Sequence, residues 1–331
     1  MFHLPFPEFV PHRLLKSGNA QTVVASLLAA PDEPHDTRQH FVPTTHDDQL
    51  VLHENQPAAV SEPTRQVILL HGLGGCHSSG YVRRTCHRLL ESGCAVWRLD
   101  QRGCGAGVAV ARWHHHAGRT EDLQAAVDHV RQQAPNTPIT IVGFSLGANL
   151  ALNWAGSDPP PETGCVDSVI SIAPPVDLKR CAENLNRGLS RCYDLFFARM
   201  LRQRVLERRR AYPGMADRHF VPFPQKLQRF DDQFTAPLAG FTGVDEYYEV
   251  CSSWYKLGRI RVPALIVADR SDPVVPFDMF KRCRPSPTVR LATTRCGGHL
   301  GYLARPGDDP DRHWLTWRIA EWVSRLPQQA A

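Results

Sequence analysis

The 331-residue chain lacks any hydrophobic run long enough to cross a lipid bilayer. The longest apolar stretch near the N-terminus, residues 22–30, falls far short of the roughly 20 residues that a transmembrane helix needs. The first ten residues include Pro5, Pro7 and Glu8, where a signal peptide would have a charged start followed by an apolar run. These absences predict a cytoplasmic protein with no integral membrane span.

Patterns typical of metal and nucleic-acid binding are also missing. The ten cysteines include no CxxC pair, and a disulfide framework is not expected in a chain this long, so they are interpreted as reduced thiols. The run His114-His115-His116 does not indicate a metal site, because consecutive side chains do not converge on one ion. The net charge of +5 is spread along the chain without Lys/Arg tracts, which predicts no nucleic-acid partner.

Two glycine-rich segments do not match a nucleotide-binding loop. The sequences HGLGG at 71–75 and GCGAG at 103–107 have neither the G-x-G-x-x-G spacing nor a Gly-Lys-Ser/Thr ending. We therefore expect no dinucleotide.

What the sequence does contain is an alternation of short apolar runs and amphipathic stretches, on a composition that is 42% hydrophobic. This pattern predicts an α/β fold, a mostly parallel central sheet flanked by helices. The predicted strands are 66–70, 94–99, 139–142, 168–172, 262–268 and 288–292. The predicted helices are 81–92, 120–134 with Thr120 as N-cap, 146–155, 193–210 and 312–326, the last with Trp314, Trp317, Ile319, Trp322 and Val323 available to the core.

The alternation breaks after residue 176, where the chain becomes rich in arginine, aromatic residues and proline. We therefore expect residues 1–176 and 259–331 to form the core domain and residues 177–258 to form a lid or cap insertion. The helix predicted at 193–210 has apolar residues at 197, 201 and 205 and arginines elsewhere. A lid helix with a solvated basic face is the favoured interpretation, and docking of anionic lipid or of an acidic substrate group is the alternative.

The segment Gly143-Phe144-Ser145-Leu146-Gly147 matches the G-x-S-x-G nucleophile elbow. Its two glycines permit a strained strand-to-helix turn that exposes the serine hydroxyl, and the motif lies between a predicted strand and a predicted helix. This context makes Ser145 the candidate nucleophile, against the alternative of a serine in an ordinary glycine turn.

A serine hydroxyl needs a positioned imidazole to remove its proton and an acid to orient that imidazole. His299 lies in a glycine-rich loop after the last predicted strand, where the chain order Ser, acid, His places the base. Asp272 is the preferred acid because Pro273 and Pro276 fix its loop, whereas Asp269 ends a strand and remains the alternative.

Acyl transfer also requires donors for the oxyanion of the tetrahedral intermediate. The amide of Leu146, directly after the nucleophile, is one candidate, and the Leu73 amide in the loop after the strand 66–70 is the other. His71, at the start of that loop, is interpreted as a structural or hydrogen-bonding residue.

With these residues assembled, the chain resembles the YheT-like group (the AB hydrolase 4 family) of the α/β-hydrolase superfamily. The resemblance rests on motifs in order along almost the whole chain: Ser17 to Thr22 (SGNAQT), HGLGG at 71–75, Arg102-Gly103, His116 to Gly118, GFSLGAN at 143–149, FDDQFT at 230–235, Tyr247-Tyr248, Asp272-Pro273 and GGHLG at 297–301. It implies carboxylic-ester hydrolysis without a cofactor, and the charge-relay residues of the group fall on Ser145, Asp272 and His299.

The sequence thus predicts a serine esterase acting on a small-molecule acyl ester, with short to medium acyl chains favoured. The close alternative is an alcohol acyltransferase or ester synthase that uses the same triad. The distant alternative is a non-catalytic binding protein that kept the fold. Peripheral lipid contact and the oligomeric state are left open.

Overall fold

The computed structural model describes residues 7–45, 47–162, 164–211 and 226–326. They form one eight-stranded sheet with the strand order β1-β2-β4-β3-β5-β6-β7-β8. The strands are β1 Arg38–Thr44, β2 Asp48–Asn55, β3 Gln66–Leu70, β4 Ala95–Asp100, β5 Ile139–Phe144, β6 Ser168–Ile172, β7 Ala264–Asp269 and β8 Val289–Thr294.

The helices cover both faces of this sheet. They are α1 Gly18–Leu27, α2 Gly80–Glu91, α3 Thr120–Gln133, α4 Leu146–Ala155, α5 Leu178–Leu185, α6 Ser190–Ala211, α7 Leu227–Phe230, α8 Ala236–Leu238, α9 Val244–Cys251 and α10 Trp314–Ser324, with a π-turn at Asp231–Thr235 between α7 and α8. Short 3₁₀ turns occur at Gly105–Ala109, Leu257–Arg259 and Phe277–Arg282. The predicted fold class is confirmed.

Strands β3 to β8 run parallel, and the central ones are buried on both faces. Full burial explains why these strands appear in the sequence as continuous apolar runs rather than as alternating patterns. Because the strands are parallel, their carboxyl ends meet at one edge of the sheet, which we call the sheet edge. The loops after β3, β5, β7 and β8 therefore lie close together.

The antiparallel pair β1 and β2 was not delimited by the sequence pattern. Strand β1 is largely exposed and contains Pro43, so it lacks the continuous apolar run that marks the inner strands. Its stability comes from pairing with β2, which in turn pairs antiparallel with β4. Such a strand is defined by its neighbours more than by its own residues.

Two details of the sequence prediction are wrong. Thr120 is the first residue of α3 and Arg119 occupies the N-cap position without a side-chain capping bond. Trp317 of α10 is half-buried and lies at the surface of the core, where its indole N–H donates to Asp311 and the guanidinium of Arg88 stacks 3.5 Å from its ring centre. A tryptophan can shield an arginine at the surface as readily as it fills a core.

Helices α5 to α9 lie between β6 and β7, within residues 177–258, which we call the β6–β7 segment; its residues 212–225 lie outside the described part of the chain. The arginines of α6 do not all face solvent as the sequence suggested. Arg204 donates to the carbonyl of Gly74 at 3.1 Å, and buried Arg208 donates to the carbonyl of Ala111 at 2.7 Å. Two of these arginines therefore attach α6 to the loops that follow β3 and β4.

In the described ranges, no helix combines the length and apolar character that a membrane span requires.

Candidate active site

Ser145 occupies the turn between β5 and α4 with φ +51° and ψ −119°, a backbone conformation that residues other than glycine rarely adopt. A Cβ on Gly147 would lie 2.5 Å from the carbonyl oxygen of His71, and one on Gly143 would lie 2.6 Å from the backbone of Ala148. Both positions of the motif therefore require glycine. The turn leaves the Ser145 hydroxyl at the sheet edge, beside two cavities.

The structure brings the three predicted polar residues into one hydrogen-bonded line. His299 Nε2 lies 3.0 Å from Ser145 Oγ, and His299 Nδ1 lies 2.8 Å from Asp272 Oδ2. The Asp272 side chain is 1% exposed and the His299 side chain 10% exposed, so solvent does not compete for this bond. With Nδ1–H donating to the carboxylate, Nε2 is free to accept the serine proton.

Asp272 and Asp269 have different partners. The second oxygen of Asp272 accepts from the amides of Val274 and Val275 at 2.8 and 2.9 Å, so its loop fixes the carboxylate toward His299. Asp269 accepts five hydrogen bonds, and none of them comes from His299. Its donors are the amide and hydroxyl of Ser271, the Thr294 hydroxyl and the amides of Gly297 and Gly298. Asp269 thus ties the loop that carries Asp272 to the loop that carries His299.

Helix α1 supports the histidine from the other side, a role that sequence reasoning missed. The His299 amide donates to the Thr22 hydroxyl at 2.8 Å. A Cβ on Gly18 would lie 1.8 Å from the carbonyl oxygen of Ser271, and one on Gly298 would lie 2.2 Å from that of Gly18. The SGNAQT motif was visible in the sequence, but its partners are more than 240 residues away along the chain.

The loop with the Leu73 amide lies against Ser145. A Cβ on Gly72 would lie 3.0 Å from the Cβ of Ser145, and Leu73 and Leu146 both line the cavity at the serine. The Gly72 amide donates to the buried Tyr81 hydroxyl at 2.8 Å, and burial raises the pKa of Tyr81 to about 12. His71 Nδ1 donates to the Gly72 carbonyl at 2.8 Å, and burial lowers its pKa, so it is a neutral structural residue.

Asp100, at the end of β4, holds the far end of the same loop. Its carboxylate accepts from the amide and ring of His77 at 2.7 and 2.6 Å, from the ring of His53 at 2.9 Å and from the amide of Ala106 at 2.8 Å. Burial would raise the pKa of Asp100, but the hydrogen bonds from His53 and His77 outweigh it and the pKa is lowered. The charge on Asp100 therefore fixes the loop after β3 without touching the serine.

Asp100, His53 and His77 form a group that could hold a metal ion, the one such group among the residues that the structure describes. Their possible ligand atoms lie within 4.8 Å of one another. The two imidazole rings stack with their centres 3.6 Å apart, and each nitrogen already bonds the Asp100 carboxylate. Ligands of one zinc ion, with bonds of about 2.0–2.1 Å at tetrahedral angles, would be about 3.3 Å apart. The nitrogen–oxygen distances of 2.6 and 2.9 Å are those of hydrogen bonds.

Two cavities meet at Ser145. The first, of about 110 Å³, lies between the sheet edge and the β6–β7 segment and is the less open of the two, and its apolar wall includes Leu185, Phe197, Leu201 and Phe234. We call it the closed cavity. The second, of about 760 Å³, is an open groove between α1 and the start of α6 that reaches His299. We call it the open groove.

The histidine run at 114–116 also lies at the closed cavity, a position that the sequence pattern did not predict. Burial lowers the pKa of all three imidazoles, to about 3 for His115 and His116, so they are neutral. Their contacts diverge: the His114 ring meets the edge of Phe234, and His115 Nδ1 lies 3.3 Å from Cys104 Sγ. They line the cavity as separate neutral side chains.

A sequence model of the alpha/beta hydrolase family matches residues 67–312, and the chain therefore belongs to this family. Along nearly its whole length it is similar to YheT of Escherichia coli (strain K12), with 26% identity over 96% of this chain and 93% of that protein. This match confirms the resemblance to the YheT-like group.

Two proteins of Saccharomyces cerevisiae are also similar, each over a part of its length. They are monoacylglycerol lipase, with 27% identity over 78% of this chain and 58% of the relative, and medium-chain fatty acid ethyl ester synthase/esterase 2, with 27% identity over 79% and 62%. The chain thus spans less than two thirds of either yeast protein.

Among solved structures, the Pyrococcus furiosus esterase Pf2001 superposes on this chain with a TM-score of 0.59. The superposition covers 90% of this chain and 98% of that one at 16% identity, which is a likeness of fold.

Proposed function

We propose that this protein is a serine esterase that cleaves short- to medium-chain carboxylic esters through an acyl-enzyme on Ser145. The observation that carries the proposal is the continuous hydrogen-bonded line from Asp272 through His299 to the Ser145 hydroxyl. The names of the relatives, a lipase and an ester synthase/esterase, support ester chemistry.

In the first half-reaction, Ser145 Oγ attacks the ester carbonyl carbon while its proton passes to His299 Nε2. The carbonyl oxygen becomes an oxyanion, and Asp272 stabilises the imidazolium. The bond to the alcohol oxygen then breaks, and His299 returns the proton to the departing alcohol. In the second half-reaction, water attacks the acyl-enzyme with His299 again as base, and the acid and the free serine are released.

We assign the oxyanion to the amides of Leu146 and Leu73. Leu146 is the first residue of α4, so its N–H has no partner within the helix and lies at the positive end of the helix dipole. The loop with Leu73 is held by Tyr81, His71 and Asp100, and such fixed donors stabilise charge that develops during the reaction without reorganising.

The two cavities support a substrate with two unequal arms. An ester carbonyl at Ser145 would place one arm in the closed cavity and the other in the open groove. The closed cavity is small and walled by apolar side chains, which favours a short- to medium-chain group there. No cofactor or metal enters this chemistry.

The division into a core at 1–176 and 259–331 and a lid at 177–258 is part of the proposal. It is supported by the position of the β6–β7 segment, whose helices supply most of the apolar wall of the closed cavity. On this division, the core performs the chemistry and the lid selects the ester.

An alcohol acyltransferase with the same residues is the second candidate. The open groove reaches His299, so an alcohol bound there could take the acyl group in place of water. The name of the yeast synthase/esterase supports this possibility. Product analysis with added ethanol separates the two: ethyl ester would be the main product of a transferase, and free acid that of an esterase.

The proposal is tested by initial rates on p-nitrophenyl esters from acetyl to palmitoyl, comparing the native chain with Ser145→Ala. A rate that peaks at a short or medium chain and falls by about 10⁴-fold or more in the variant is expected, because alanine keeps the turn but removes the nucleophile. Circular dichroism establishes that the variant is folded. A folded Ser145→Ala chain with native rates would overturn the proposal.

A further inference from the structure

We propose that the outer rim of the open groove docks on an anionic lipid surface. The groove rim comprises residues 12–30, which include α1, and residues 186–200, which include the start of α6. The docking claim stands apart from catalysis, whereas the delivery of an ester from that surface to Ser145 rests on the proposed function.

The groove rim concentrates the exposed apolar side chains of the described residues. The four most exposed large hydrophobic residues all belong to it: Leu14 at 84%, Leu27 at 78%, Leu189 at 72% and Phe196 at 61%. They come from two segments that are far apart in sequence. Isolated exposed leucines are ordinary on a protein surface, but a group of them around one opening indicates a binding face.

Contacts within the structure hold the two segments together. Val23 and Leu28 of the first segment line the open groove opposite Leu189 and Phe196 of the second. The Tyr193 hydroxyl donates to the side-chain oxygen of Asn19 at 2.9 Å, which joins α6 to α1. Leu14 lines a second hollow together with Leu28, so apolar surface continues outward from the groove, and the charges of Asp311 and Arg312 lie on the same hollow.

The charge of the groove rim points to an anionic partner. No Asp or Glu occurs between residues 12 and 30. In residues 186–200 the one acid is Asp194, which is buried and accepts from the Leu227 amide at 2.8 Å. The same two segments carry five exposed cations: Arg13, Lys16, Arg187, Arg191 and Arg199.

Apolar tips interspersed with cations are the composition by which proteins bind the surface of an anionic membrane. The apolar side chains enter the boundary between headgroups and acyl chains, and the cations are attracted to the lipid phosphates. A second copy of this chain is a less suitable partner for the groove rim. A two-fold interface would place the five cations opposite an identical set, and like charges repel. Docking in this way turns the mouth of the open groove toward the lipid.

The test is sedimentation of the full-length Ser145→Ala chain with vesicles of phosphatidylcholine, alone or with 30% phosphatidylglycerol. We expect at least tenfold tighter binding to the anionic vesicles, weakened by added salt. The variant Leu14→Ser/Leu27→Ser should reduce this binding at least tenfold. The matched control Phe41→Ser/Leu291→Ser, which alters exposed apolar residues outside the groove rim, should leave it unchanged.

Equal vesicle binding by the rim variant and the control variant would overturn the proposal, as would no preference for anionic vesicles. Sedimentation velocity without lipid tests whether a second copy of the chain binds the groove rim instead. The lipid proposal would also be overturned if the native chain formed a dimer, the rim variant were monomeric, and no vesicle binding were seen. The chain without the Ser145 substitution separates the two proposals. If that chain binds anionic vesicles through the groove rim but hydrolyses no ester, docking stands and the esterase proposal fails.

Discussion

The sheet edge and the β6–β7 segment face each other across the closed cavity, and they are built differently. At the sheet edge, short loops hold the reactive groups through dense hydrogen bonding, as in the five bonds that Asp269 accepts. Across the cavity, the wall is formed mainly by aliphatic and aromatic side chains such as Leu201 and Phe234. Directional bonds fix the geometry of a reaction, whereas apolar walls limit the size of what can bind.

The two regions are nevertheless joined at specific points. Asn149 of α4, four residues after the serine, donates to the carbonyl of Cys251 at 2.9 Å and accepts from the Ser253 amide at 3.1 Å. Arg204 bonds the loop that carries Leu73. The difference suggests that substitutions at the sheet edge reduce the rate on every ester, and that substitutions in the β6–β7 segment change the order of preference among esters.

The largest effect is expected from the acid. Asp272→Asn should lower kcat by about 10³–10⁴-fold, because asparagine cannot stabilise the imidazolium and can favour the wrong tautomer of His299. Stability should change little, and the loss should be the same on butyrate and octanoate esters. The measurement is kcat on both p-nitrophenyl esters.

Asp269→Asn is the matched comparison for that variant. This variant keeps Asp272, the proposed acid. It replaces one carboxylate oxygen of residue 269, which accepts hydrogen bonds, with an amide nitrogen that cannot accept them, and the free energy of unfolding should fall by about 1–3 kcal/mol. We expect kcat to fall by about tenfold at most in the folded fraction, since the loop loosens without losing Asp272. If Asp269→Asn lost as much activity as Asp272→Asn with no loss of stability, the acid role would pass to Asp269.

A smaller effect is expected from Leu201→Ala in the wall of the closed cavity. Removing the side chain enlarges the cavity, so the ratio of kcat/KM for octanoate over butyrate should rise several-fold while the best ester keeps its kcat. Leu89→Ala, which truncates a buried leucine of α2 away from the cavity, is the control and should leave the ratio unchanged. A ratio that moves equally in both variants would contradict the division of roles.

The smallest effect concerns stability. Burial raises the pKa of Asp231 to about 6, although its hydrogen bonds from Thr235 and Tyr248 act in the opposite direction. The folded chain therefore retains a proton that the unfolded chain loses between about pH 4 and pH 6. In this window Asp231 contributes less stability as the pH rises. The Tm of Asp231→Asn minus the Tm of the native chain should therefore increase as the pH rises from 4.5 to 7.

This gain should correspond to a free energy on the order of 1–3 kcal/mol. The control is Asp245→Asn, an exposed carboxylate paired with Lys179 on the surface, which should show no such trend. A Tm difference between Asp231→Asn and the native chain that stays constant with pH would show that Asp231 is ionised in the fold.

The sequence predicted the parts of the site that depend on local backbone shape. The elbow at Ser145 and the loop of His299 each require glycine at fixed offsets, so a short motif identifies them. The support from Thr22, and the network of Asp100 with His53 and His77, could not be predicted. Such contacts join segments that are distant in sequence, and each residue taken alone resembles many polar residues without such a role.

The central claim is that Ser145 is activated by His299, and covalent labelling tests it most directly. The native chain should react with a fluorophosphonate probe to give one adduct, located on Ser145 by peptide mass spectrometry. His299→Ala should lose this labelling while keeping its fold. An adduct on another residue, or equal labelling of Ser145 without the imidazole, would contradict the account.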